Sequence, residues 1–360
     1  MSAPNGVSSS TKVRIAVAGG GLIGKRHLEE INRSDVAEVA AVVDPGPAGP
    51  ELAQKYGVPL FLNLTELLAA DKPDGVILAT PNQLHVDGGL QCVAAKVPVI
   101  VEKPIGDSVD AATRLVEAGE AAGVPILTGH HRNYSPITLK AGELVNSGAL
   151  GQLVAVIGTA LFYKPDVYFD DNDGWRKRPG GGPLMLNLIH EVNNLLMLVG
   201  DITEVHAKTS NATRGFAVED TAAIIFSFAN GAVGTFVVSD AAASPRSWEM
   251  TSSESSTDKS FDHYDDEDAY HLAGTRGSLS IPTMRLKTYP GPASWWEKFD
   301  SSTLDVDKTD PIANQIKHFA EVIRGEAKPI CTGRDGLKAL MVVEAVVESS
   351  RTGQPVAVSY

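Results

Sequence analysis

The sequence predicts an α/β protein in two parts: an N-terminal doubly wound domain on a parallel sheet, then an α+β domain on a mostly antiparallel sheet. Three observations carry this. Over the first third of the chain, near-continuous apolar runs alternate with amphipathic stretches, the pattern of buried parallel strands linked by helices. The first run ends in a glycine cluster that opens a helix. After residue 150 the β-type segments take on period-2 character, and two of them flank Ala229-Asn230-Gly231, a hairpin signal. At about 150 residues per domain, two domains suit the length of 360. A composition of 43% hydrophobic and 21% charged residues supports a large core.

In order, Val13–Ala18 is the first strand and about 22–32 the first helix. Glu38–Val43 is the second strand, followed by a helix at 49–55, a short strand at 60–62 and a helix at 65–70. Gly75–Ala79 and Pro98–Val101 are further buried strands separated by a helix over 83–95. A helix over 108–122 leads to Pro125–Thr128. The second part carries β segments Leu153–Phe162, Ile202–Ser210, Thr221–Phe228, Ala232–Ser239 and Ser278–Lys287, with a helix over 184–199. Helices over 311–324 and 335–350 close the chain. Residues 164–183 and 244–268 read as long loops, a length that points to function or mobility. The expected division is a disordered tail at 1–11, a nucleotide-binding domain at 12–130 and a second domain at 131–360, whose final helices can pack back on the first.

With 31 Lys+Arg against 44 Asp+Glu, the net charge is −13. There is no basic stripe for a nucleic acid, and an acidic surface does not suit an anionic membrane. Part of this excess is assigned to the loops 164–183 and 244–268, where it would disfavour a polyanionic substrate. Cys92 and Cys331 have neither disulfide-framework nor zinc spacing. No signal-peptide core or membrane-spanning apolar run is visible, so the cytoplasm is the expected compartment.

Gly19-Gly20-Gly21-Leu22-Ile23-Gly24 satisfies G-x-G-x-x-G between a strand and a helix. In such a loop Gly19 permits the tight turn, Gly21 lets a pyrophosphate approach the backbone, and Gly24 lets the helix pack on the sheet. The free N–H groups of the helix start, at Leu22 and Ile23, would face the phosphates. Asp44, about 20 residues beyond Gly24, ends the second strand. A carboxylate there accepts from ribose hydroxyls and repels a 2′-phosphate, favouring NAD over NADP. Asp44-Pro45-Gly46 is equally readable as a plain turn.

Later motifs extend the pattern: Thr80-Pro81-Asn82-Gln83-Leu84-His85, Glu102-Lys103-Pro104, Gly129-His130-His131-Arg132, Trp175-Arg176, Gly180-Gly181-Gly182, His190, and Gly274 through Leu279. In their order and spacing they resemble the glucose–fructose oxidoreductase/inositol dehydrogenase/MocA family. The resemblance implies an N-terminal Rossmann domain and a C-terminal α+β domain whose large open sheet packs on another subunit, as a homodimer or homotetramer. It also implies reversible hydride transfer between NAD and a secondary alcohol, most often of a sugar or cyclitol. Thr80, Pro81, Asn82, His85, Glu102 and Arg132 are then expected to face the cofactor.

Such a reaction needs a group that accepts the hydroxyl proton, and no metal. Lys103 follows the C-terminal end of a parallel strand, where open α/β sheets place ligands. The resemblance puts it on the reacting hydroxyl and against the cofactor. His190 has the titration range of a general base. A lone histidine on an apolar helix is otherwise a core residue, and the resemblance makes this one catalytic. Many family members carry an Asp four residues before this histidine and another three after it, whereas this chain has Leu186 and Asn193. Asn187 is the polar side chain offered instead, able to donate and accept but not to take a proton. His130, Tyr163, Trp175 and Arg176 join Lys103, Asn187 and His190 as candidate substrate contacts, with core packing the alternative for the aromatic rings. Tyr270 and His271, after the acidic run, are also expected to approach the substrate.

The sequence thus reads as an NAD-dependent dehydrogenase of a sugar, cyclitol or related polyol. Two alternatives stay open: a dihydrodiol dehydrogenase acting on a cyclic aromatic-derived diol, and an NAD-sensing regulator without turnover.

Overall fold

The computed structural model describes residues 12–170, 172–254 and 262–360, with the side chains of 172 and 173 set aside. The expected N-terminal tail and part of the acidic loop lie outside the described residues. The chain divides into two compact units. The first holds residues up to Tyr134 together with Pro311–Leu340, and the second holds Ser135–Asp310 and Met341–Tyr360.

The first unit is built on a six-stranded parallel sheet in the order β3-β2-β1-β4-β5-β6. Its strands are β1 (Val13–Ala18), β2 (Ala37–Val43), β3 (Leu60–Phe61), β4 (Gly75–Leu78), β5 (Val99–Val101) and β6 (Ile126–Thr128). Its early helices are α1 (Leu22–Arg33), α2 (Ala48–Tyr56), α3 (Leu64–Ala70), α4 (His85–Ala94) and α5 (Val109–Ala122). The strand order reverses between β1 and β4, the switch point at which doubly wound sheets bind ligands. The core joins Ile15 and Val17 of β1, Leu28 and Ile31 of α1, Ile77 and Ile100 to Ile316 and Phe319 of the later helix Pro311–Arg324. Gly75 lets that helix approach, since a Cβ there would come within 2.8 Å of the Phe319 ring.

The second unit carries a nine-stranded sheet in the order β14-β13-β12-β11-β7-β10-β9-β8-β15. Helix α6 (Pro136–Asn146) precedes β7 (Leu153–Leu161), and the single turn α7 (Val167–Asp170) follows it. Helix α8 (Ile189–Leu198) is entered through a π-helical turn, Leu184–Leu188. Then come β8 (Ile202–Ser210), β9 (Thr221–Phe228), β10 (Val233–Ser239), the turn α9 (Trp248–Thr251), β11 (Tyr270–Gly274), β12 (Gly277–Ile281), β13 (Arg285–Thr288), β14 (Asp300–Thr303) and β15 (Val356–Ala357). Helix α10 (Pro311–Arg324) belongs to the first unit, and α11 (Gly333–Thr352) passes from the first to the second.

The mostly antiparallel sheet is present, with one exception: β7 and β10 pair in parallel. Parallel neighbours need a long crossover, and the segment holding α8, β8 and β9 supplies it. The single expected segment Ser278–Lys287 is two strands, because the chain turns back after Ile281 and β13 pairs antiparallel to β12. Strands β11, β14 and β15 had no expectation. Asp300–Thr303 is polar and exposed throughout, as an edge strand can be, so no alternation marks it.

One face of this sheet is buried, with Val156, Phe226, Phe236, Val238 and Leu272 inside. Ser349 of α11 reaches it by accepting from the amide of Ala207. On the opposite face Ile157, Thr235 and Ile225 form one cross-strand row, with Ile157 54% and Ile225 47% exposed.

Candidate active site

In the first unit the expected cofactor residues gather at the C-terminal ends of β1, β2, β4, β5 and β6, one edge of one sheet. Gly19 has φ +101°, and a Cβ there would lie 2.3 Å from the carbonyl oxygen of Ala79. A Cβ on Gly24 would lie 1.9 Å from the carbonyl oxygen of Gly19. A Cβ on Gly21 would meet nothing within 4 Å. Two glycines are therefore required by packing, while the third leaves open surface at the start of α1. No side chain caps that helix. Leu22 is exposed and Ile23 half-buried beside it. Open backbone and uncapped N–H groups are what a pyrophosphate needs, so the residues present fit a dinucleotide.

Asp44 accepts from the amide of Gly20 at 2.5 Å and from that of Gly46 at 2.6 Å. The turn reading and the ribose reading are compatible. One bond to each oxygen fixes the carboxylate against the glycine loop, and a carboxylate has acceptor sites to spare.

Thr80, Pro81 and Asn82 form the turn after β4. His85, expected against the cofactor, is buried with both ring nitrogens turned inward. Its Nε2 lies 2.8 Å from the Thr80 carbonyl oxygen and its Nδ1 2.8 Å from that of Pro104. Burial lowers its pKa, against the pull of the two carbonyls. A neutral imidazole donates to only one of them, and we take the neutral form, since desolvation is the larger effect. His85 ties the loop after β4 to the loop that carries Lys103.

Glu102 is buried, with Oε1 2.8 Å from His27 Nε2 and Oε2 accepting from the amide of Lys103 at 3.2 Å. Burial pushes its carboxyl up, but His27, His131 and Lys103 together hold it below its ordinary value. His27 on α1 was not singled out from the sequence; its position three residues after Gly24 was the available signal. His130 is buried and pushed down to about 3, first by burial and then by Lys103. His131 is lowered to about 4 by burial and by Arg132. Arg132 is buried in the short turn after β6.

In the second unit His190 is buried in the first turn of α8, and Asn187 precedes it on the π-helical turn. Asn187 Oδ1 accepts from Lys164 Nζ at 2.7 Å. Lys164 lies just beyond β7 and had escaped the sequence reading. Its ammonium sits 4.8 Å from the Tyr168 ring centre and 5.2 Å from that of Phe162. Arg176 stacks over Tyr168 at 4.2 Å, lies 5.3 Å from the Trp175 ring, and donates to the Tyr168 carbonyl at 2.8 Å. Trp175 is 39% exposed and Tyr163 59%. Arg214 faces Tyr163 and Phe169, and bonds Asp240 through Nε at 2.9 Å. Burial raises the Asp240 carboxyl, against Lys164 and Arg214.

Two expectations change. The loop 164–183 adds nothing to the acidic excess: Asp166, Asp170, Asp171 and Asp173 are matched by Lys164, Arg176, Lys177 and Arg178. Tyr270 and His271 point to opposite faces of β11, as strand alternation requires. Tyr270 is buried, donating to Glu191 and accepting from Asn194 at 3.0 Å. His271 meets Ser280 on β12 at 3.0 Å. Among the described residues no group of three or more His, Cys, Asp or Glu is placed to hold a metal ion. Among them, too, no helix is long and apolar enough to cross a membrane.

A six-stranded doubly wound sheet with a dinucleotide-fitted glycine loop, followed by a unit on a nine-stranded sheet, defines a two-unit nucleotide-dependent oxidoreductase. The chain belongs to the GFO/IDH/MocA oxidoreductase family: the model of its NAD-binding Rossmann fold matches residues 13–130 and that of its C-terminal domain residues 138–280. NAD is the cofactor and the protein is a dehydrogenase. It is 26% identical to inositol 2-dehydrogenase of Rubrobacter xylanophilus, over 96% of this chain and 93% of that one. It is 25% identical to D-apiose dehydrogenase of Paraburkholderia graminis, over 95% and 88%. The WlbA dehydrogenase of Bordetella pertussis, solved with NADH and UDP-GlcNAcA, shares the fold with a TM-score of 0.77 at 24% identity, over 97% of this chain and all of that one.

Proposed function

We propose that the protein oxidises, reversibly, a secondary alcohol of a sugar, cyclitol or related polyol with NAD. The observation that carries this is the gathering of the glycine loop, Asp44 and Glu102–Lys103 at one edge of the parallel sheet, at its switch point. Relatives of similar length named inositol 2-dehydrogenase and D-apiose dehydrogenase support the substrate class. The nicotinamide, when bound, accepts or returns the hydride.

The remaining work falls to this chain. The open backbone at Gly21 and the amides of Leu22 and Ile23 take the pyrophosphate, and Asp44 takes the ribose. Thr80, Pro81, Asn82 and Arg132 line the cofactor, while His85 and Glu102 hold the loop that presents Lys103. Lys103 exchanges the proton of the reacting hydroxyl and steadies negative charge on its oxygen. His190 is the second acid–base group. His130 is held neutral and serves as a hydrogen-bonding contact to substrate. Tyr163, Trp175 and Arg176 supply ring and guanidinium contacts, as pyranose and cyclohexane rings require, and Asn187 reads an adjacent oxygen.

The domains are assigned as 12–130 for NAD and 131–360 for substrate and assembly, with α10 and the start of α11 packing back on the NAD-binding part. The assembly is a homodimer or homotetramer formed through the exposed face that carries Ile157 and Ile225. Cys92 and Cys331 are buried and form no disulfide, which fits the reducing cytoplasm.

The test is a panel of sugars, cyclitols and cyclic diols, following NADH at 340 nm. Lys103→Ala should lower kcat by about 10²–10⁴-fold while NAD still binds by calorimetry. Full turnover in that variant overturns the assignment of Lys103. Tight NAD binding with no turnover across the whole panel favours a sensing role.

A further inference from the structure

Among the described side chains of loop 164–183, Asp166, Asp170, Lys177 and Arg178 keep their charges at the surface, whereas two cations do not. The side chain of Asp166 is 90% exposed, and that of Asp170 is 66% exposed and paired with Lys177. Lys164 and Arg176 are drawn inward instead, sharing the Tyr168 ring. Asp240, a buried carboxylate bonded by Arg214, also feels the charge of Lys164. The charge at the inner surface of this loop, beside the turn that leads to His190, is therefore a cation.

The Lys164–Asn187 bond fixes more than position. An ammonium group has no lone pair, so the amide must turn its oxygen toward Lys164. That orientation leaves both hydrogens of Asn187 Nδ2 pointing elsewhere, and among the described residues no acceptor takes them. Asn187 is half-buried, so this donor pair is within reach of a ligand. Three residues before His190, the chain thus offers an oriented amide donor alongside an ammonium donor. A carboxylate in the same place would read hydroxyl hydrogens; an amide and an ammonium read oxygen lone pairs.

We propose that Lys164 and Asn187 form a specificity pair that binds a carboxylate on the substrate, so that the alcohol oxidised belongs to a sugar or cyclitol acid rather than a neutral polyol. The proposal rests on the dehydrogenase reading above and narrows its substrate class. Lys164 supplies a charge-assisted bond to one carboxylate oxygen and Asn187 Nδ2 bonds the other. Arg176, packed on the same Tyr168 ring, lends further positive charge.

The experiment uses the full chain with NAD and two matched pairs: D-glucuronate with D-glucose, and D-galacturonate with D-galactose. Turnover is followed by NADH formation and binding by thermal shift. The wild type should prefer the acid of at least one pair. Lys164→Met should lower the acid-to-neutral ratio of kcat/KM about 10- to 100-fold, mainly through KM, and Lys164→Arg should restore much of it. Asn187→Asp should move the ratio the same way, by placing a negative charge against the carboxylate. Retention of the NAD-induced thermal shift shows that each variant is folded. If neither acid nor neutral sugar turns over, a thermal shift given by an acid and lost in Lys164→Met upholds the pair while the dehydrogenase reading fails. Faster turnover of the neutral sugars, an unchanged ratio in Lys164→Met, or acids that neither bind nor react overturns the proposal.

Discussion

His130 carries a pH dependence whose sign follows from its burial. Its ring is 1% exposed and its pKa falls to about 3 in the folded chain, against about 6.5 unfolded. Above pH 6.5 the ring is neutral in both states and native stability is whole. As pH falls below that, the unfolded chain takes a proton that the folded one refuses, and stability drops by up to about 1.4 kcal/mol per pH unit. Glu102 acts in a lower window with a different origin. Its folded pKa lies below its unfolded value, so its contribution is present above the ordinary carboxylate range and is lost as pH falls through the folded value. Urea midpoints at pH 7, 6 and 5 should fall in the wild type and fall less steeply in His130→Asn; equal slopes would refute the buried neutral ring. Asp44 gives a prediction of another kind. Asp44→Ala removes the acceptor of the Gly20 and Gly46 amides and the charge that repels a 2′-phosphate. NAD affinity should drop by about 10- to 100-fold and the preference for NAD over NADP should narrow, both measurable by calorimetric titration with each cofactor.

At the scale of elements, the turn from β1 into α1 is set by contacts that leave no room for a methyl group. In Gly24→Ala the new Cβ would meet the Gly19 carbonyl, which is backbone and cannot swing aside. A destabilisation of at least about 2–3 kcal/mol is expected, or a melting point lower by about 5–10 °C, together with weakened NAD binding. An unchanged melting curve would mean that the helix does not pack on this turn. This element was legible in the sequence because its chemistry is local: a strand, three glycines and a helix start within a dozen residues. Val13–Ala18 was likewise legible, since a strand buried on both faces is apolar throughout. Tyr270–Gly274 was not. Its meaning depends on β7 on one side, far away in sequence, although β12 on the other follows directly, and nothing local separates Tyr270, bound to Glu191, from His271 beside it. Lys164 escaped for the same reason. One lysine in a charge-balanced loop acquires its direction from Asn187 and Asp240, distant in the chain, and from the rings it shares with Arg176.

For the whole molecule, the net charge of −13 and the nine-stranded sheet bear on assembly together. The buried face of that sheet is filled by side chains such as Phe226 and Phe236, while the other face presents Ile157, Ile225 and Val233, the last 53% exposed. These side chains are on three adjacent strands, so they form an apolar strip, broken by Thr235 between Ile157 and Ile225, rather than scattered surface residues. Along the central row the strip continues from Ile157 to His271, Ser280 and Arg285 on one side and from Ile225 to His206 on the other. Apolar centre and polar margins are the anatomy of a stable interface. A two-fold pairing of this face would bury Ile157 and Ile225 from each copy, because an isologous contact uses the same patch twice. The excess negative charge opposes association at long range, so the strip must supply the attraction and added salt should help it. Light scattering should therefore give a dimer or tetramer for the wild type, more complete at higher ionic strength. Ile225→Glu should shift the mass toward the monomer. Its far-ultraviolet circular dichroism should stay unchanged, because Ile225 faces away from the buried side of the sheet. A wild-type monomer at all salt concentrations, or a variant whose mass does not change, would refute assembly through this face.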